Sequence, residues 1–280
     1  MARLIKDSPW WVVLIYIFAG SILFLFAYGF SQAPGYMFGD SSTALTYVPY
    51  GFGVGILVLY MLVRRYFEGA WPIDLNLFED ARQNLAIRNL GFGLLLGLVY
   101  FAVVTAVISL CGCYRIAASH FDSTAFFSSL ATFFVVAVGE EVLFRGIIYR
   151  LIDQKWGMWP SLIVSALLFG FTHIFNDNAT VWSSVAISIE AGLFLAVIYK
   201  FTGSLWAPIG LHWSWNFIQG PVLGFAVSGN GTKSVFDAAI SGPDIISGGP
   251  FGAEASIVAC LIGLAASVFL ILHSDRKKAL

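Results

Sequence analysis

Two adjacent glutamates and an arginine, Glu140, Glu141 and Arg145, interrupt the otherwise oily run AVGEEVLFRGIIYRL, residues 137–151. A charged side chain near the middle of a bilayer costs at least about 2.5 kcal/mol on insertion scales and marks a functional site or an ion pair between helices. On a helix, residues four apart share a face and successive residues point about 100° apart. Glu141 and Arg145 are therefore ion-pair partners by spacing, which leaves Glu140 on another face without a local cation. Two further pairs have the same spacing. Phe169 and His173 stand in FGFTH, and His212 and Asn216 in HWSWN. The other two histidines of the chain are His120 and His273.

These groups converge on one chemistry by two routes. A partly buried carboxylate such as Glu140 can take a proton from water, with His and Asn donating to the oxyanion of a tetrahedral intermediate. Alternatively two histidines and a glutamate can hold zinc, whose bound water becomes a nucleophile near neutral pH. Both routes hydrolyse amides, and neither needs a Ser or Cys nucleophile. At about 1.5 Å of rise per residue, Glu140 lies about 15 Å from Arg150, His212 about 12 Å from Ser204 and His173 roughly 22 Å from Met158. These depths overlap, so a shared cavity within a helix bundle is possible.

The elements that must carry these residues are membrane helices. The chain has 280 residues, 59% hydrophobic and only 11% charged, with a mean hydropathy of +0.83. About eight runs of the length a span requires are expected, near 10–30, 46–67, 90–113, 125–151, 158–175, 181–201, 205–227 and 255–273. The first is too long and too aromatic for a signal peptide and reads as an anchored helix. Lys and Arg collect on one side if the N-terminus is cytoplasmic: Arg3 and Lys6, then Arg64, Arg65, Arg82 and Arg88, then Arg150 and Lys155, Lys200, and Arg276 to Lys278. That bias puts both termini in the cytoplasm. The expected fold class is thus an all-α polytopic bundle of about eight transmembrane helices, one integral-membrane domain over 1–280. The polar stretch 68–90 reads as a helix lying in the interface. The Gly-, Ser- and Pro-rich loop 229–252 reads first as a surface linker, with cover for the outer mouth of a cavity as the alternative. Cys111, Cys113 and Cys260 lack zinc spacing and read as packing residues. A net charge of −1 speaks against a nucleic-acid partner.

The ordered set Glu140-Glu141-x-x-x-Arg145, Phe169-x-x-x-His173 and His212-x-x-x-Asn216, together with TGSLWAPIGLHWSWNF (202–217), resembles the CPBP family, the CAAX protease and bacteriocin-processing (Abi) group that includes the type II CAAX prenyl endopeptidases. The resemblance covers about 125–220 and is closest in flavour to bacterial members, implying a bacterial cell membrane. It implies an intramembrane endopeptidase acting on a membrane-associated or lipidated peptide or protein. Glu140 would activate water with help from His173, and His212 and Asn216 would stabilise the oxyanion. Glu141 and Arg145 would hold the site in shape, with Phe169 in support. No cofactor is required on this reading, because Asn216 is an oxyanion donor and a poor zinc ligand. The metal-dependent version would place zinc on Glu140, His173 and His212. The principal alternative is a non-proteolytic scaffold or bacteriocin self-immunity protein of the same fold. A proton-coupled transporter is disfavoured by the lack of an inverted repeat.

Overall fold

The computed structural model describes residues 8–31, 42–69, 72–75 and 80–276. Each expected apolar run lies mostly in helix, although 111–113 and 223–227 do not. We label the helices α1 (Trp10–Ser31), α2 (Ser42–Glu68), α3 (Asp80–Leu110), α4 (Ser123–Trp156), α5 (Met158–Phe175), α6 (Val181–Thr202), α7 (Trp206–Phe217, extended by a π-helical turn to Val222) and α8 (Ile257–Arg276). Five of these, in α2 to α6, are long and apolar enough to cross a membrane. Large apolar side chains such as Leu95, Ile163, Leu261 and Phe269 point outward, as a lipid-facing bundle requires. Exposed Trp10, Trp11 and Trp159 sit at helix starts, where membrane helices collect amphipathic rings.

Local chemistry sets the helix ends. The Asp122 carboxylate accepts from Ala125 N at 3.1 Å and caps α4, satisfying one of the orphan donors of a first turn. Thr180 and Ser183 cap α6 reciprocally. Gly157, at φ 86° and ψ −178°, makes the sharp corner from α4 to α5, a conformation that a Cβ would oppose.

Small residues bring the backbones together where the candidate site will be built. A Cβ on Gly97 of α3 would run into the Leu211 carbonyl and the Ser214 hydroxyl of α7, and one on Gly93 into the Ala207 carbonyl. α3 and α7 thus pack main chain to main chain through Gly93-x-x-x-Gly97, which helices use in lipid where dispersion and close approach replace the hydrophobic drive. Gly170 of α5 meets Ser184 and Ser188 of α6 in the same way. Gly263 lays α8 against the backbone of Glu190.

Three sequence expectations change. The fold is not wholly α-helical: β1 (Tyr114–Ser119) and β2 (Phe236–Ile240) form an antiparallel ribbon with Tyr114 opposite Ile240, which satisfies backbone groups outside the bundle. Among the described residues no separate interfacial helix lies within 68–90. Residues 80–90 belong to α3, and Ile73–Leu75 form a 3₁₀ turn tucked against the bundle, while 70, 71 and 76–79 lie outside the described residues. In that turn Asp74 accepts from Tyr60 Oη at 2.9 Å and Tyr199 Oη at 3.0 Å and pairs with Arg64 at 3.2 Å, so a buried carboxylate ties α2 to α6. Arg150, read as a basic flank, is buried, its Nε donating to the Gly146 carbonyl at 2.7 Å.

Candidate active site

Glu140 and Glu141 end the regular part of α4, and Val142–Tyr149 continues it as π-helix. The wider turn is uncommon and tends to occur at functional sites. Here it carries Arg145 inward, fully buried, its Nη1 donating to Glu141 Oε1 at 2.8 Å and its Nη2 to the Gly192 carbonyl at 2.9 Å. The guanidinium also sits 4.6 Å over the Phe169 ring, a favourable placement of a cation on a π face. Phe169 is the hub. Its ring meets Phe144 at 5.0 Å, His173 at 5.1 Å and His212 at 5.9 Å.

The two histidines are oriented by acceptors behind them. His173 Nδ1 lies 2.7 Å from the Phe169 carbonyl, one turn earlier on α5. A carbonyl only accepts, so Nδ1 carries the hydrogen and Nε2 faces forward. His212 Nδ1 lies 2.9 Å from Glu141 Oε1, which fixes its ring in the same sense. Both Nε2 atoms stand 4.0 Å from Glu140 Oε2. That oxygen is buried and has no hydrogen-bond partner among the described residues. Three atoms able to accept thus converge, and a constellation of this kind calls for a donor between them, such as a water.

A small cavity of about 20 Å³ lies beside the imidazoles, lined by Phe169, His173, His212, Asn216, Glu190 and Glu254 among others, room for one water. Asn216 is buried and lines this cavity. Glu140 does not line this cavity and faces it through the imidazoles. The structure therefore brings together Glu140, Glu141, Arg145, Phe169, His173 and His212 by direct contact, and Asn216 through the cavity.

Zinc fits the spacing poorly. Ligand atoms about 2.0–2.1 Å from a tetrahedral zinc stand about 3.3 Å apart, against the 4.0 Å seen from Glu140 Oε2 to each histidine. Among the described residues no group of three or more His, Cys, Asp or Glu converges closely enough to hold a metal ion.

Two acids went unread in the sequence. Glu190 stands in the π-helical turn Ser188–Leu193 of α6, fully buried, with Oε2 3.1 Å from Tyr100 Oη. It is a lone carboxylate in an apolar run, without the adjacent acid and the arginine that flagged Glu140, and no cation or motif partner lies at helical spacing. Glu254 follows the loop that reads as a linker. That loop is packed: Asn176 Nδ2 donates to the Ser228 carbonyl at 2.9 Å, Gly229 N to the Phe251 carbonyl at 2.7 Å, and Trp182 Nε1 to the Ala255 carbonyl at 2.8 Å. It covers one wall of the cavity with Ser228 and Glu254. Burial pushes the Glu254 carboxyl up.

No curated protein and no solved structure matches the chain. Residues 122–218 match the family model described as Rce1-like, type II CAAX prenyl endopeptidase. The matched segment runs from the α4 cap into the π-helical end of α7 and holds every motif residue named above, so over 122–218 the chain is similar to that family.

Proposed function

We propose that this protein is an intramembrane endopeptidase that cleaves a membrane-associated or lipidated peptide with water activated by Glu140. The observation that carries the reading is the unpartnered, buried Glu140 Oε2 equidistant from two imidazole Nε2 atoms. A water placed there donates to the carboxylate and to an imidazole. Glu140 takes the proton as the water oxygen bonds to the carbonyl carbon, and returns it to the leaving nitrogen as the C–N bond breaks. Asn216 supplies a neutral N–H to the oxyanion. His212 presents Nε2 toward the oxyanion, its ring held by the Nδ1 contact with Glu141. Glu141 and Arg145 position that ring.

No step is routed through a metal, given the spacing above. The site lies in a multi-pass bundle, and we place both termini in the cytoplasm from the Lys and Arg bias. The test is cleavage of a peptide library, read by mass spectrometry, by the parent and by Glu140→Gln. Gln keeps size and hydrogen bonding but removes basicity, so turnover should fall at least about 10²-fold while the protein stays folded. Full turnover in Glu140→Gln would end this assignment. Chelation followed by zinc addition should leave the parent's turnover unchanged at both steps.

A further inference from the structure

Glu190 and Glu254 share the cavity with the imidazoles, yet none of the steps above uses either one. Both are buried, at 0% and 3% exposure, and among the described residues neither has an ion-pair partner. Each also keeps one oxygen, Oε1, buried without a hydrogen-bond partner. The surroundings are arranged to hold the acids in place. Tyr100 Oη meets Glu190 Oε2 at 3.1 Å and the Ala259 carbonyl at 2.8 Å, and Tyr100 stacks on Trp215 at 4.4 Å. Trp215 Nε1 in turn donates to Gln219 Oε1 at 3.0 Å. Four carboxyls, Glu140, Glu141, Glu190 and Glu254, surround this site, and the one arginine among them is committed to Glu141. Protonating one acid would remove one charge and still leave a buried carboxylate without a cation in contact.

Resting on the endopeptidase reading, we propose that Glu190 and Glu254 form a subsite for a compact ammonium group of the bound peptide, a lysine side chain or a free amine, beside the scissile bond. An ammonium has three donors, enough in number for both unpartnered Oε1 atoms. A cavity of about 20 Å³ admits a group of that size and is too small for a planar guanidinium, so the preference is for lysine over arginine.

Binding tests this without turnover. The Glu140→Gln protein in detergent is titrated with paired apolar peptides that differ only by one Lys or norleucine, walked along the chain, and its melting is followed with n-butylammonium chloride or sodium chloride. At one position the lysyl peptide should bind at least tenfold tighter than its norleucine partner. The advantage should vanish in Glu190→Gln and in Glu254→Gln, and butylammonium should stabilise more than sodium. Should one Gln variant fail to fold, the other carries the comparison. Equal binding at every position, or an advantage that survives the Gln substitutions, overturns the subsite and leaves the acids to a water. Stabilisation by sodium equal to that by butylammonium overturns the peptide assignment in favour of a free cation. Lysine-dependent binding together with no cleavage by the parent supports the subsite and refutes the endopeptidase reading alone.

Discussion

Removing the Arg145 guanidinium should be among the most damaging single changes, and the structure says by how much. Arg145 and Glu141 are both fully buried and paired at 2.8 Å. Arg145→Met leaves a carboxylate with no cation in contact, at a cost of about 3–5 kcal/mol for breaking a buried pair. The lost contact with Phe169 at 4.6 Å adds about 1–2 kcal/mol for a desolvated cation–π pair. The Gly192 carbonyl loses its donor as well. At about 2–4 °C per kcal/mol, the pair alone corresponds to a melting shift of about 6–20 °C. Glu141→Gln should fall in the same range, since its amide can still accept from His212 Nδ1 but cannot neutralise Arg145. The assay is a double-mutant cycle read by thermal melting in detergent. The double substitution Glu141→Gln with Arg145→Met should cost less than the two singles summed, because it leaves neither charge unpaired. Additive losses, or single variants that melt like the parent, would refute the pairing as the source of stability.

His212→Ala and Asn216→Ala should each lower turnover about 10²–10³-fold if they donate to the oxyanion, measured against peptide with melting unchanged for Asn216→Ala. Gly97→Leu should abolish folded protein, read by size-exclusion chromatography after extraction, because α3 and α7 touch there main chain to main chain; Gly55→Ala, where a Cβ meets nothing within 4 Å, is the control. Burial raises the folded-state pKa of Glu254 above its unfolded value, so its contribution to stability is lost as pH rises above about 4.3. The melting temperature of Glu254→Gln should accordingly fall less with rising pH than the parent's, in low salt without amines; parallel profiles would contradict the shift. Reporter fusions after Arg65 and at Leu280 should report the cytoplasm, and one after Lys233 the outside.

Much of the site was legible in the chain because helical spacing is a local rule. Glu141 and Arg145, four apart, had to meet on one face, and Phe169 had to stand one turn from His173. The sequence likewise determined where the apolar runs lie, because a backbone in lipid must close its own hydrogen bonds and needs about 20 apolar residues to cross. What it could not determine is which residues from different helices meet. That Glu141 pairs with His212 as well as Arg145, that Phe169 lies under the guanidinium, and that Glu140 faces two imidazoles at equal distance all depend on how α4, α5 and α7 cross. The neighbouring α3–α7 and α5–α6 crossings are set by glycines, whose role is visible only once the opposing backbone is in place. Glu254 shows the limit most clearly. Gly, Ser and Pro in its loop signal conformational freedom, yet tertiary hydrogen bonds from Asn176 and Trp182 fix that loop over the cavity, because buried backbone groups must find partners wherever the fold places them.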